Sequence, residues 1–348
     1  VSTVEATPAA ARLEKVVGAE HLFSDAPRLA EYAIDGVTPK LVARPENAEE
    51  TAEIVRIAVE EKLGVIPCGA RSAVGVGMPP TDYDMALDMT RLTGIASYDP
   101  GDLTISVNAG MPLADLSRTL AGKQQFLPLA VPFFEKATVG GAIAAGLDSP
   151  LRHFYGTPRD FLIGAEFVDG TGAQAKSGGR VVKNVTGYDF HKLLNGSLGT
   201  LAVITRVNFR TYPVPVARRG FLASFADETH ALGFAKEIGQ SVLTPIMLEM
   251  LSPECAGLLF ERYAPFASFC GAQAKQEWTV CVGFEGTGEV CERYARELSR
   301  LARESSAQNA VAMHDEPFAA LLELLREAPA TMRDSGAQAV VMRFTTVP

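Results

Sequence analysis

The chain has 348 residues, 47 % hydrophobic and 21 % charged, which is a normal balance for a globular protein of about two domains. Lys and Arg number 32 against 41 Asp and Glu, and the resulting net charge of −9 argues against nucleic acid as a partner, because that needs a basic face. No apolar run reaches bilayer length, no basic-then-apolar leader opens the sequence, and the five cysteines form no CxxC pair; we expect a cytoplasmic protein with reduced thiols, no metal site and no iron–sulfur cluster of its own.

In the first half, Leu41–Pro45 reads as a strand. A helix follows with Asn47 as N-cap and Glu50 three residues on, and Ile54, Val55, Ala58 and Val59 give it an apolar face. Val65–Pro67 completes a strand–helix–strand unit. Ala86–Met89 and Leu103–Val107 are further strands. Leu162–Val168 and Gln174–Lys176 flank the glycine-rich turn Asp169-Gly-Thr-Gly172. Leu201–Thr211 closes this half, and the organisation changes at Tyr212-Pro-Val-Pro215.

The second half opens with strand Gly220–Phe225 and a helix capped by Asp227. Strand Ile246–Leu251 precedes Ser252-Pro253, an N-cap with proline at the first helical position. Strand Thr279–Glu285 and helix Glu289–Glu304 follow, with Val290, Tyr294, Leu298 and Leu301 striping one side of that helix. This alternation predicts an α+β sandwich with helices on one sheet face. The last strand, Val340–Phe344, leaves a sheet edge for something else, or the chain is incomplete.

Four stretches bear on function. After the strand at Val65 comes Pro67-Cys-Gly-Ala-Arg-Ser-Ala-Val-Gly75-Val-Gly77, a loop whose backbone N–H groups can face an anion, or a plain connection. Ala137-Thr-Val-Gly-Gly-Ala-Ile-Ala-Ala-Gly146 is too small-sided for an ordinary core helix; it suits either a flat ligand against backbone or tight packing of two elements. Gly178–Asp189 and Leu193–Leu201 pack glycine, basic, amide and aromatic residues at a density that a polar pocket requires. Gly286-Thr-Gly288-Glu-Val-Cys291 imitates the start of a dinucleotide fingerprint, but its third position is cysteine and a carboxylate stands where pyrophosphate would sit.

In combination the four stretches resemble the PCMH-type FAD-binding domain of the vanillyl-alcohol oxidase superfamily, over roughly Val37 to Pro213. A closer likeness, carried by Thr157–Phe161, the Gly178–Asp189 run and Gly196-Ser197, is to the smaller flavoprotein subunit of bacterial glycolate oxidase. The resemblance implies an α+β fold. Residues 1–36 would be a helical segment, 37–215 the PCMH-type domain of two α+β subdomains, and 216–348 an α+β cap domain with an antiparallel sheet. It also implies FAD as cofactor. The pyrophosphate loop would be Cys68, Gly69, Ala70, Arg71, Ser72, Ala73 and Val74, with Thr138, Gly140, Gly141, Ala145 and Gly146 along the flavin. Lys183, Gly199, Val203 and Ile204 complete the implied cofactor set. Two departures stand out: the first loop reads Gly-Ala-Arg-Ser where Gly-Gly-Gly-Thr is commoner, and a C-terminal Asp-Pro…Asn-Pro-Gly segment is missing.

Oxidising a 2-hydroxy acid needs a base for the hydroxyl proton, and histidine is the usual one. His21, His230 and His314 read as surface residues, and His153 is the one that a loop after the glycine run would bring near a flavin; a structural role fits it better. The second-domain His-x-Gly-Asp-Gly-Asn-x-His segment of catalytic relatives is missing. No catalytic residue is therefore assigned. The resemblance implies an FAD-binding subunit of a glycolate dehydrogenase, working beside a catalytic flavoprotein subunit and an iron–sulfur subunit and peripheral to the inner membrane face only through them. A self-sufficient 2-hydroxy-acid dehydrogenase and a flavin-free scaffold are the alternatives.

Overall fold

The computed structural model describes residues 8–147, 149–180, 187–261, 266 and 277–334. In chain order these form α1 (Pro8–Val17), β1 (Leu22–Phe23), α2 (Ala26–Ala30), β2 (Leu41–Ala43), α3 (Ala48–Glu60), β3 (Val65–Cys68) and β4 (Met85–Asp88). There follow β5 (Ile95–Asp99), β6 (Thr104–Asn108), α4 (Leu113–Ala121), β7 (Gln125–Phe126), α5 (Val139–Ala145), α6 (Arg152–Tyr155) and α7 (Pro158–Phe161). Next come β8 (Leu162–Asp169), β9 (Gln174–Gly178), α8 (Phe190–Leu194), β10 (Ala202–Arg210) and β11 (Tyr212–Pro213). The remainder is β12 (Ala217–Phe225), α9 (Glu228–Gln240), β13 (Met247–Leu251), α10 (Pro253–Phe260), β14 (Trp278–Gly286), α11 (Gly288–Glu304), β15 (Asn309–Met313) and α12 (Asp315–Asp334). The strand expected at Val340–Phe344 lies outside the described residues.

The fold is α+β, with two compact units. The described residues of Val1–Leu127, Phe133–Leu147 and Thr157–Pro213 make the first. Those of Pro128–Pro132, Asp148–Gly156 and Val214–Pro348 make the second.

The first unit holds two main sheets. One runs β1-β2-β4-β3, with β4 parallel to both β2 and β3 and β1 antiparallel to β2. The other is antiparallel, in the order β5-β6-β10-β8-β9. Helix α3 starts where the sequence places it, because the Asn47 side chain accepts the Glu50 N–H at 2.8 Å. Its buried residues Ala52, Ile54 and Val55 join Leu41, Met85 and Leu87 of the parallel strands and Val168 and Val203 of the antiparallel sheet in one core. The carboxyl ends of β3 and β4, at Cys68 and Asp88, thus stand at an edge of this core, where parallel strands present ligands to their following loops.

The second unit is built on the antiparallel sheet β13-β14-β12-β15. Phe221, Ala223 and Phe225 of β12 and Val280, Val282 and Phe284 of β14 share a core with α9 and α11. The expectation that helices cover a single face is corrected by α12. Gly220 and Gly283 are paired across β12 and β14 and leave the opposite face bare, and Phe318 of α12 lies on them. Along α11 the buried stripe is Cys291, Tyr294, Leu298, Leu301 and Ala302; Val290, at 37 % exposure, stands at its edge. Also in this unit, Tyr155 donates its hydroxyl to Glu285, whose other oxygen accepts from Arg218 Nε at 3.1 Å. Among the described residues no helix is long and apolar enough to cross a membrane.

Candidate functional site

Three of the sequence stretches, the loop after β3, the Ala137–Gly146 run and Leu193–Leu201, converge in the first unit because glycines let their backbones touch; Gly178 and Gly179 of the fourth line a separate cavity with Glu166 and Asn208. A Cβ on Gly69 would lie 1.9 Å from Thr138 Oγ1, so the loop after β3 rests directly on the start of α5. Thr138 is the N-cap of that helix and accepts the Gly141 N–H at 3.3 Å. Gly140 stacks on Ala109, at the end of β6, where a Cβ would meet the alanine methyl at 2.7 Å. Gly199, with φ +73°, backs against Pro67 at a distance that a side chain would close to 2.8 Å. Helix α5 ends in a left-handed Gly146, and Gly196 and Leu198 donate their N–H groups to its Ile143 and Ala144 carbonyls.

The product is a cleft enclosing about 120 Å³. One wall is the loop, Cys68, Gly69, Ala70, Arg71, Ser72, Ala73 and Val74. Thr138, Gly140, Gly141 and Ala145 supply a second wall, and Gly199, Val203 and Ile204 a third. Those are the residues the sequence singled out, with two exceptions. Gly146 is not in the lining; its positive φ ends the helix, and a Cβ there would meet the Gly196 backbone at 2.7 Å. Lys183 lies outside the described residues.

Pro67, Val76, Ala144 and Leu198, within the stretches singled out but not assigned to the site, also line the cleft, and sequence reasoning missed Ile66, Met89, Ala109 and Ala202. Each is an ordinary apolar residue and carries no local signal. Met89 and Ala109 arrive only through the pairing of strands far apart in the chain. Leu198 takes a positive φ of 52° just before Gly199.

The lining is apolar except at the loop. Arg71 is the one charged side chain among the described lining residues. Burial pushes the Cys68 thiol well up, so it stays protonated. The N–H groups of Ala70, Arg71, Ser72 and Ala73 donate to no acceptor among the described residues. A row of unclaimed donors beside one guanidinium is suited to a phosphate group. Arg71 also borders a second cavity of about 690 Å³, together with Tyr32, Arg44, Asp88 and Lys136.

No histidine lines the cleft. His153 is exposed on α6, in the second unit. His191 is buried at 3 % exposure with Nδ1 3.0 Å from Ser177 Oγ, and burial lowers its pKa. His230 pairs with Asp227 on the surface, His314 is exposed, and His21 is half-buried beside Glu20. Among the described residues no group of three or more His, Cys, Asp or Glu is arranged to hold a metal ion.

Residues 39–178 match the family model of the FAD binding domain. The chain carries a PCMH-type FAD-binding domain. Glycolate oxidase subunit GlcE of Escherichia coli (strain K12) is 37 % identical to it over 173 residues, 49 % of this chain and 49 % of that protein. Glycolate oxidase subunit GlcD of Bacillus subtilis (strain 168) is 28 % identical over 291 residues, 83 % of this chain and 61 % of that protein. The chain thus spans between about half and three-fifths of the length of these two relatives. A solved structure of alkyldihydroxyacetonephosphate synthase superposes with a TM-score of 0.76 at 20 % identity, covering 96 % of this chain and 65 % of that one. That likeness is one of fold alone.

Proposed function

We propose that the cleft holds FAD and that the chain is the FAD-binding subunit of a cytoplasmic 2-hydroxy-acid dehydrogenase, with glycolate as substrate. The observation that supports this most is the cleft itself. Loop, α5 and β10 residues separated by up to 136 positions in the sequence, Cys68 to Ile204, line one mainly apolar groove, and the loop's N–H donors are unclaimed among the described residues. When bound, FAD would supply the electron-accepting chemistry. The chain's own residues would do the rest. The loop N–H groups and Arg71 would bind the diphosphate. Gly140, Gly141 and Ala145 would let the ligand lie against backbone, and Val203 and Ile204 would keep water from it.

Among its described residues the cleft brings together no base for a hydroxyl proton, which favours a subunit that works beside others. The likeness to two glycolate oxidase subunits supports a multi-subunit assembly; the partners in this reading are a catalytic flavoprotein subunit and an iron–sulfur subunit. The chain should be assayed for glycolate-dependent dye reduction alone and after co-expression with such subunits. Activity only in the co-purified assembly is the expected result. Turnover by the isolated chain would replace this reading with a self-sufficient dehydrogenase.

A further inference from the structure

We propose that Arg71 is the counter-cation for the diphosphate of the bound dinucleotide and that Tyr32, braced by Asp88, is its positioning residue. The inference rests on the reading of the cleft as the FAD site. A diphosphate brings negative charge into an apolar groove, and burying that charge without a partner is strongly unfavourable. Arg71 is the one charged residue among the described residues lining the cleft, and its guanidinium stands where the cleft meets the neighbouring cavity that Tyr32 and Glu31 line.

The arginine is held in an uncommon way. Its φ is +61°, in the left-handed region where a long side chain is disfavoured and glycine is at home. The guanidinium carbon stands 4.2 Å from the centroid of the Tyr32 ring, in cation–π geometry. That ring is pinned at both ends. Its hydroxyl donates to Asp88 Oδ2 at 2.6 Å, and the Tyr32 carbonyl accepts from the Tyr83 hydroxyl at 3.0 Å.

Asp88 cannot swing away. It is 2 % exposed, its Oδ1 accepts the Thr90 N–H at 2.8 Å, and Arg44 Nε lies 3.3 Å from its other oxygen. The chain Asp88–Tyr32–Arg71 thus runs from the end of β4 to the cleft wall. Among the described residues Arg71 meets one carboxylate, that of Glu31, at 3.8 Å, and Glu31 is largely exposed. A solvated pairing at that distance is weak and yields readily to a phosphate. Where the loop lacks the usual run of glycines, a positioned charge takes over part of the work of bare backbone donors.

The test is FAD affinity, read by flavin fluorescence quenching at low and high salt, for Arg71→Ala, Arg71→Lys, Tyr32→Leu, Tyr32→Phe and the double variant Tyr32→Leu/Arg71→Ala. The unliganded thermal midpoint of each variant reports its fold. Arg71→Ala should weaken FAD roughly tenfold to a hundredfold and flatten the salt dependence, with Arg71→Lys recovering part of the loss. Tyr32→Leu should weaken FAD by roughly fivefold, and the double variant should bind no worse than Arg71→Ala alone. If Tyr32→Leu does not fold, Tyr32→Phe decides: it should weaken FAD with Arg71 present and do nothing further without it. Wild-type affinity in Arg71→Ala, or losses that add in the double variant, would overturn the inference and leave the FAD reading intact. A wild-type chain that binds no FAD would sink that reading itself.

Discussion

Gly69 and Thr138 lie in direct contact across the cleft, so close that a methyl group on the glycine would stand 1.9 Å from the threonine hydroxyl. The contact ties the loop after β3 to the first turn of α5, and the same hydroxyl caps that helix. Gly69→Ala must therefore displace the loop or rotate Thr138 off its cap. We expect a loss of roughly 1–3 kcal/mol in urea unfolding, with FAD binding weakened alongside. Thr138→Ala should cost about 1 kcal/mol through the cap alone. A Gly69→Ala protein with wild-type stability would show that the two walls are not in register as described.

Phe318 on the paired glycines of the second unit gives an independent prediction. A Cβ on Gly220 or on Gly283 would come within 2.7 Å of its ring. Gly283→Ala should destabilise by about 1–3 kcal/mol through overpacking, and Phe318→Ala by about 3–5 kcal/mol through the cavity it leaves. Because the two residues share one contact, the double variant should lose less than the sum of the two single losses. Strict additivity in chemical unfolding would place the helix elsewhere.

The thiols make a pH prediction. Burial, with Glu249 and Glu254 adding to it, pushes the Cys255 thiol up to about 11. At pH 8 only about one molecule in a thousand then carries the thiolate, so alkylation should be slow and rise about tenfold per pH unit up to pH 10. The buried Cys68 should react only on unfolding. Site-resolved mass spectrometry after iodoacetamide checks both. The same raised value links to stability. The folded chain keeps a proton that the unfolded one releases, so this contribution is complete below pH 8.5, the ordinary thiol range, and fades as pH climbs towards 11. Rapid labelling of Cys255 at pH 8 would contradict its burial.

Much of this site is legible in the sequence because glycine marks it. Gly69, Gly140, Gly141 and Gly199 are residues whose lack of a side chain does a geometric job, and the order of residues flags them while leaving ligand contact and tight packing both open. Gly146 has the same signature with another cause, a left-handed helix end, and sequence alone does not separate the two. Tyr32 and Asp88 are invisible there for the opposite reason. A tyrosine and an aspartate far apart in sequence signal nothing until β4 and the segment after α2 bring the phenol and carboxylate to 2.6 Å. Strand positions in the second unit are readable from alternation. Phe318 is not, since a bare glycine pair reads as weakness in a strand rather than as a seat for an aromatic ring.

Flavin content of the purified chain is the most direct measurement of all. Its visible absorbance spectrum should be recorded after incubation with FAD and desalting, and again on the supernatant after heat precipitation. We predict a flavin spectrum in near-equimolar amount that passes entirely into the supernatant, marking a noncovalent FAD site in the first unit. A protein that stays colourless after incubation would contradict the FAD reading and leave the cleft as a relic within a scaffold.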